Sequence, residues 1–175
     1  MRRPAESAFD LHRLIHIALR KWLQKQELLN QWIQKAIKRL LEVFPDHNHG
    51  NRSKWRRLLP HTKYALSYNS IEQEDESRMN LEWKYAMVLY VDGRYNEAEE
   101  PFMRAMETRK RVLGEEHPDT LTSMNNLAWT WKSCSRDAEA LELITKCQQL
   151  LQSRLGDLHP NTLACTRTMK SWISK

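Results

Sequence analysis

The chain has 175 residues and a formal net charge of +6, so it is long enough for one domain with a hydrophobic core. Four residues are glycine, seven are tryptophan, and leucine is far commoner than valine, which favours helices over strands. This composition excludes an all-β fold and a Gly-rich nucleotide-binding core, since both need many glycine turns.

The first part of the chain, residues 1–70, is basic and has a helical pattern. It holds 14 Lys and Arg against 5 Asp and Glu, and its apolar residues recur at intervals of three and four. Asp10 is placed to begin the first helix, and Pro60 is expected to stop the third. The predicted helices cover residues 9–23, 28–44, 52–59 and 62–70.

The cations of this part alternate with apolar positions, as on the solvated faces of amphipathic helices, and that interpretation is favoured. An alternative function is nucleic-acid binding, because several cations flank an aromatic side chain that could stack on bases. The residues that would form such a surface are Arg52, Lys54, Trp55, Arg56, Arg57 and Lys63.

An acidic stretch, residues 71–76, is predicted to be a linker between the basic part and the rest of the chain. Beyond it, residues 113–121 recur as residues 155–163, with Leu-Gly, His-Pro and Thr-Leu at matching places. A recurrence at a fixed offset of 42 residues indicates a repeat architecture. The repeats are predicted at about 79–120 and 121–162, followed by a capping or truncated helix at 163–175.

Each repeat is predicted to be a pair of helices packed closely through small residues such as Ala86 and Ala98. Gly114 falls just past a second helix, where a left-handed cap favours glycine. Asp119 and its counterpart Asn161 are expected to cap the helices that follow. The first helices are predicted at about 77–92 and 119–133, and the second helices at about 95–113 and 137–155.

This unit resembles the tetratricopeptide repeat (TPR) in its kinesin-light-chain form. The resemblance lies in the run DGRYNEAE at residues 92–99 and in the motifs LG and HPDTL at residues 113–121. It covers about residues 77–175 and implies an all-α fold, a helical-hairpin (TPR) solenoid preceded by a small helical segment. It also implies that a peptide or partner protein binds on the concave face.

The basic part carries a second resemblance. The run FDLHRLIHIALRKWL at residues 9–23, with FP at 44–45 and LPH at 59–61, resembles the winged-helix-like region that follows the NB-ARC core in fungal NLR-like proteins. Because the chain has no GxxxxGK[ST] motif, ATP binding does not carry over and no cofactor is predicted. The resemblance implies association with an NTPase domain in a longer relative, in which this part would belong to the sensor arm of a STAND-type NTPase.

Candidate catalytic chemistry is scarce. His12 and His16 have the spacing of two ligands on a helix, but the Glu that a zinc hydrolase places between them is missing. No nucleophile and base can be combined, so no catalytic residue, metal site or enzyme activity is predicted. No apolar run reaches the length of a membrane span, and three cysteines without CxxC spacing favour a cytoplasmic setting without a membrane partner.

The binding site follows from the TPR resemblance, in which the first helix of each pair lines the groove. Asn125 and Asn126 would hydrogen-bond a peptide backbone, and Trp129 would be an aromatic anchor. Lys84 and Arg167 would meet acidic groups. The alternative is that Trp129 is half-buried packing and the asparagines only solvate a helix. The six predicted peptide-binding residues are Lys84, Met87, Asn125, Asn126, Trp129 and Arg167.

Overall fold

The chain folds into eight successive α-helices within residues 4–68 and 76–174, the part that the computed structural model describes. For residues 4–13 and 16 this description covers the backbone alone. No strand occurs in these ranges, which confirms the all-α prediction, and none of their helices is long and apolar enough to cross a membrane. The helices are α1 (Pro4–Lys25), α2 (Leu29–Val43), α3 (Arg52–Leu66), α4 (Glu76–Val91), α5 (Tyr95–Leu113), α6 (Pro118–Ser133), α7 (Asp137–Leu155) and α8 (Pro160–Ile173).

The first helix is longer than predicted. It begins at Pro4 rather than at Asp10, and proline suits this place because its fixed φ is helical and its missing N–H is not needed in the first turn. The side chains of Asp10, His12 and His16 lie outside the described residues, and so does the predicted linker except Glu76. Glu76 is the first residue of α4 and therefore helical.

Pro60 does not stop a helix, so the prediction of two helices around it is wrong. A single helix, α3, runs through it from Arg52 to Leu66. The ring removes one backbone hydrogen bond, but Pro60 is on the exposed side of α3, where the freed carbonyl reaches water. The buried side, with Trp55, Leu59 and Thr62, packs against the rest of the molecule and holds the helix together across the proline.

The basic part and the first repeat share one hydrophobic core. Its buried members include Ile37 of α2, Trp55 and Leu59 of α3, and Leu81 and Leu89 of α4. The helices before the repeats therefore pack on the first repeat.

Arg78 in the first turns of α4 ties the end of α3 to the array. Its guanidinium donates to the carbonyl oxygens of Leu66, at 2.6 Å, and Tyr68, at 2.9 Å. It also lies 3.4 Å from a carboxylate oxygen of Glu82, a side chain that is almost fully buried. One side chain thus satisfies carbonyls at the end of one helix and the charge of the next.

The two repeats are the hairpins α4–α5 and α6–α7, and α8 begins a third. The bounds of α5 and α7 agree with those predicted, and the predicted small residues Ala86 and Ala98 are fully buried. Gly114 follows α5 with φ 95° and ψ 160°, a conformation that is essentially restricted to glycine. Gly156 repeats it after α7, so glycine ends both helices at the predicted positions, but with an extended ψ instead of the left-handed conformation that was expected.

The caps of α6 and α8 differ from those predicted. His117 and His159 are the N-caps, and each accepts a hydrogen bond through Nδ1 from the backbone N–H two residues on, at 3.2 Å. Asp119 and Asn161 supply those N–H groups instead of capping. The reason is the intervening proline, which restricts the residue before it to the extended conformation that an N-cap adopts.

A clamp of three side chains joins the first repeat to the second on α5 and α6. The carboxylate of Glu99 accepts a hydrogen bond from the indole N–H of Trp131, at 2.9 Å, and another from the guanidinium of Arg136. The guanidinium carbon of Arg136 lies 4.9 Å from the centre of the Trp131 ring. The clamp therefore combines an ion pair with a cation–π contact.

Candidate peptide-binding face

Two adjoining cavities lie between the first helices of successive hairpins. Between α4 and α6 a cavity of about 340 Å³ is lined by Met87, Tyr90, Phe102, Asn125, Asn126 and Trp129. Between α6 and α8 a second cavity of about 240 Å³ is lined by residues that include Asn125, Trp129 and Thr168. Asn125 and Trp129, one helical turn apart on α6, belong to both cavities. We call this surface of α4, α6 and α8 the inner face.

Trp129 is held in place and still accessible. Its ring packs edge to face against Trp172 of α8, with 4.9 Å between the ring centres, and 38% of the residue is exposed. An aromatic side chain fixed by a neighbour loses little conformational entropy when a ligand covers it. Sequence reasoning does not find Trp172, because its counterpart 42 residues earlier is the buried Thr130, so the repeat gives no signal.

The two asparagines differ in their surroundings. Asn126 points its amide Nδ2 at the sulfur of Met87, 3.5 Å away across the α4–α6 boundary. Asn125 is half-buried and hydrogen-bonds to none of the described residues, so both polar atoms of its amide are open to a ligand. The structure thus brings together four of the six predicted residues: Met87, Asn125, Asn126 and Trp129.

The two predicted cations lie outside both cavities. The ammonium of Lys84 is half-buried and lies 3.4 Å from the carbonyl oxygen of Leu41, so it faces α2. Arg167 is exposed on α8. Lys84 is on α4, and the packing of α2 on α4 covers its side of that helix.

Charge is distributed unequally between the inner helices and the outer ones. The helices α4, α6 and α8 contain three acidic residues, which are Glu76, Glu82 and Asp119. The outer helices α5 and α7 contain seven, which are Glu97, Glu99, Glu100, Glu107, Asp137, Glu139 and Glu142. The inner helices have five basic residues and the outer helices six, so the inner helices carry the more positive net charge.

The surface suggested for nucleic acid is not formed as predicted. Trp55 is fully buried, so its ring cannot stack on bases. The guanidinium groups of Arg52 and Arg56 lie 2.7 and 3.0 Å from one carboxylate oxygen of Asp92. Burial raises the pKa of Asp92, but the hydrogen bonds from these two arginines outweigh that effect and lower it. Two of the cations thus join α3 to the turn after α4.

The cysteines and histidines form no evident centre. All three cysteines are free, and Cys147 lies in the core of the second repeat, as its place in the repeat predicts. Within the described residues, no group of three His, Cys, Asp or Glu side chains is arranged to hold a metal ion. The inner face is therefore the candidate site with the clearest geometry.

Two family models of the tetratricopeptide repeat match the chain, one over residues 77–137 and one over residues 120–161. Residues 77–161 are tetratricopeptide repeats. A crystal structure of a Podospora anserina kinesin light chain with nearly identical TPR-like repeats has a TM-score of 0.59 and 20% identity with this chain. The similarity covers 81% of this chain and 64% of that one, and it shows a shared fold.

A longer fungal protein is also similar. An NLR-like protein of Hyaloscypha variabilis, described as a nucleotide-binding leucine-rich repeat protein, is 39% identical over 121 residues. The match covers 69% of this chain but 12% of that relative. The chain with its TPR array therefore resembles a small part of a much larger protein.

Proposed function

We propose that the chain is a non-catalytic interaction module that binds an extended segment of a partner protein on the inner face. The observation that carries the proposal is the pair Asn125 and Trp129, which lines both cavities. A ligand that occupies the two cavities passes this pair and lies across α4, α6 and α8.

The chemistry of the pair suits a peptide. The free amide of Asn125 has a donor and an acceptor, which match the C=O and N–H of one extended residue. Trp129 supplies a large apolar surface next to that amide, as aromatic anchors do in interfaces. Apolar side chains of the ligand would enter the cavities, with Met87 and Tyr90 as walls of the first.

The charge of the inner helices favours an acidic partner. These helices have five basic and three acidic residues, and Arg167 is exposed on α8. A positive potential would attract acidic side chains and raise the association rate. The ammonium of Lys84 faces α2 and would have to leave the Leu41 carbonyl to meet a ligand.

Replacing Trp129 with alanine is expected to weaken peptide binding about thirtyfold, because an anchor of this kind contributes about 2 kcal/mol. The probe is a fluorescent peptide, selected from a random displayed library on the immobilised chain and measured by fluorescence polarisation. Selected peptides are expected to combine acidic residues with apolar ones.

The control is Tyr64→Ala, which removes a ring that is 63% exposed on α3, away from the inner face. It should leave the affinity for the selected peptide unchanged. Peptides that bind Trp129→Ala and the unmodified chain equally would show that the inner face is not their site. Asn125→Ala tests the amide, and an unchanged affinity there would remove it from the site.

We further propose that the chain functions as the sensor arm of a longer NTPase of the STAND type. The similarity to the NLR-like relative supports this, since the match is 39% identical and accounts for 12% of that protein. The messenger RNA that encodes the chain should then continue upstream in frame into a GxxxxGK[ST] motif. An in-frame stop codon before any such motif would contradict the proposal.

A further inference from the structure

Two buried thiols, those of Cys147 on α7 and Cys165 on α8, lie next to each other in the core of the second repeat. The two residues are 0 and 3% exposed and belong to one hydrophobic cluster. The sulfur of Cys165 lies 3.6 Å from the carbonyl oxygen of Ile144 on α7. Ile144 and Cys147 are three residues apart in that helix and so share one side of it. The thiol of Cys165 therefore reaches the side of α7 that carries Cys147.

The repeat accounts for the closeness of α7 and α8 at this point. The counterparts of Cys147 and Cys165, 42 residues earlier, are Ala105 on α5 and Ser123 on α6, and both are fully buried. Small residues at both places allow the two helices to approach closely. A disulfide requires a close approach, because the Cα atoms that it links are usually about 4–7 Å apart.

One of the two thiols can be reached from a cavity. Cys165 lines the cavity of about 240 Å³ between α6 and α8, which has room for a small oxidant. Cys147 is not among the residues that line this cavity. An oxidant in the cavity therefore meets Cys165 first.

The same thiol is also the more reactive of the two. The hydrogen bond between the thiols lowers the pKa of Cys165 and raises that of Cys147. Burial opposes the first effect and adds to the second. Since the thiolate is the nucleophilic form of cysteine, Cys165 is placed to react first and Cys147 to react second.

We propose that Cys147 and Cys165 form a reversible disulfide between α7 and α8 when a hydroperoxide oxidises the chain. The thiolate of Cys165 attacks hydrogen peroxide, an S–O bond forms, the O–O bond breaks, and the leaving hydroxide takes up a proton as water. The sulfur of Cys147 then attacks the sulfenic sulfur of Cys165. The S–S bond forms, the S–O bond breaks, and the leaving hydroxide takes the thiol proton of Cys147 to give a second water. Two electrons pass from the thiols to the peroxide.

The bond would restrain α8. It closes a loop between residues 147 and 165 and thereby limits the freedom of α8 to separate from α7. Trp172 on α8 packs against Trp129, with 4.9 Å between the ring centres, so the bond would also hold one wall of the second cavity in place. In a reducing compartment such disulfides are usually transient and respond to the redox state.

Intact-mass spectrometry of the folded chain tests the bond. Millimolar hydrogen peroxide should remove two hydrogen atoms from the chain, a peptide map should join the peptides of Cys147 and Cys165, and dithiothreitol should reverse the change. Cys134→Ser removes the third thiol, which lies in the turn after α6, and is the matched control. It should form the same bond.

Two variants separate the steps, and the first repeat supplies residues that suit each place. Cys147→Ala copies Ala105 and should stop at the sulfenic acid of Cys165, which dimedone traps. Cys165→Ser copies Ser123 and should leave Cys147 reduced, because the cavity no longer offers a thiol. Circular dichroism should show that both variants remain helical.

Hydrogen exchange tests the effect on α8. The amides of α8 should exchange about tenfold or more slowly in the oxidised chain than in the reduced one, because the bond opposes local separation of the helix. Exchange in α4 and α5 should not change. The oxidised Cys134→Ser variant should show the same protection of α8.

Several outcomes would overturn the proposal. These are thiols 147 and 165 that stay reduced in the folded chain, a bond between them that forms only in urea, and a disulfide that uses Cys134 instead. A bond that leaves exchange in α8 unchanged would contradict the restraint on this helix. None of these measurements uses a peptide ligand, so they are independent of binding on the inner face.

Discussion

Replacing Arg78 with alanine is expected to lower the free energy of unfolding by about 3–5 kcal/mol. The substitution leaves the carboxylate of Glu82 buried without its nearest cation and removes two hydrogen bonds to the carbonyls of Leu66 and Tyr68. Urea unfolding followed by circular dichroism measures the loss. Amide hydrogen exchange should show the largest loss of protection in α3 and α4.

The effect of this substitution should depend on pH. Burial raises the pKa of Glu82 above its usual value of 4.5 even with Arg78 present, and removing the cation raises it further. A folded-state pKa above the unfolded one stabilises the fold at low pH, and the benefit is lost as pH rises through the folded pKa. The variant should therefore lose most stability near neutral pH and less near pH 4.

The double variant Arg78→Ala/Glu82→Gln is the control for this charge effect. It removes the carboxylate together with the cation, so it should be more stable than Arg78→Ala near neutral pH and show a weaker pH dependence. Equal stability of the single and double variants at all pH values would mean that the buried charge of Glu82 is not what Arg78 compensates.

Trp55→Ala is expected to cost about 3–5 kcal/mol, the usual cost of removing a large aromatic side chain from a core. Trp55 is fully buried and packs in the core that α2 and α3 share with the first repeat. The loss should appear as a lower urea midpoint, and hydrogen exchange should locate it in α2, α3 and α4.

Trp55→Phe separates packing from polar contacts. The indole nitrogen of Trp55 is buried and hydrogen-bonds to none of the described residues, so phenylalanine loses volume but no hydrogen bond. The loss of stability caused by Trp55→Phe should be clearly smaller than the loss caused by Trp55→Ala. Binding of a mixed-sequence oligonucleotide that is weakened by Trp55→Phe at unchanged stability would instead support base stacking by an exposed ring.

The repeat is the part of the fold that can be predicted in detail from sequence. Two copies at an offset of 42 residues constrain each other, so the C-terminal ends of α5 and α7 follow from glycines at matching places. Gly114 has a φ of 95°, which glycine adopts without a steric penalty because it has no Cβ. A glycine at the same place of each repeat therefore predicts the same kind of helix end. Sequence is sufficient to predict a helix end when the residues that cause it lie within a few positions of that end.

Sequence reasoning fails where tertiary packing decides between local alternatives. The propensity of proline correctly indicates a missing hydrogen bond at Pro60, but it contains no information on the core that keeps α3 continuous. Side-chain type predicts Asp119 as the cap of α6, whereas Pro118 makes His117 the residue with the extended conformation of an N-cap. At the start of α6 the backbone restriction that proline imposes on His117 outweighs the general preference for a carboxylate as the N-cap.

The same distinction applies to the candidate site. Met87, Asn125, Asn126 and Trp129 share one cavity because the hairpins repeat with the same geometry, which the period predicts. Lys84 faces α2 instead, because the helices before the repeats pack on the array in a manner that no internal copy describes. Trp172 escapes prediction because its counterpart 42 residues earlier is the buried Thr130, so the repeat gives no signal for it.

The clamp of Glu99, Trp131 and Arg136 has a mechanical consequence. It connects α5 of one hairpin to α6 of the next and the turn that follows, on a side of the array that does not line the two inner cavities. The angle between successive hairpins determines the curvature of a solenoid and hence the width of its concave surface. Substitutions in this clamp should therefore change the shape of the inner face without replacing any residue that lines its cavities.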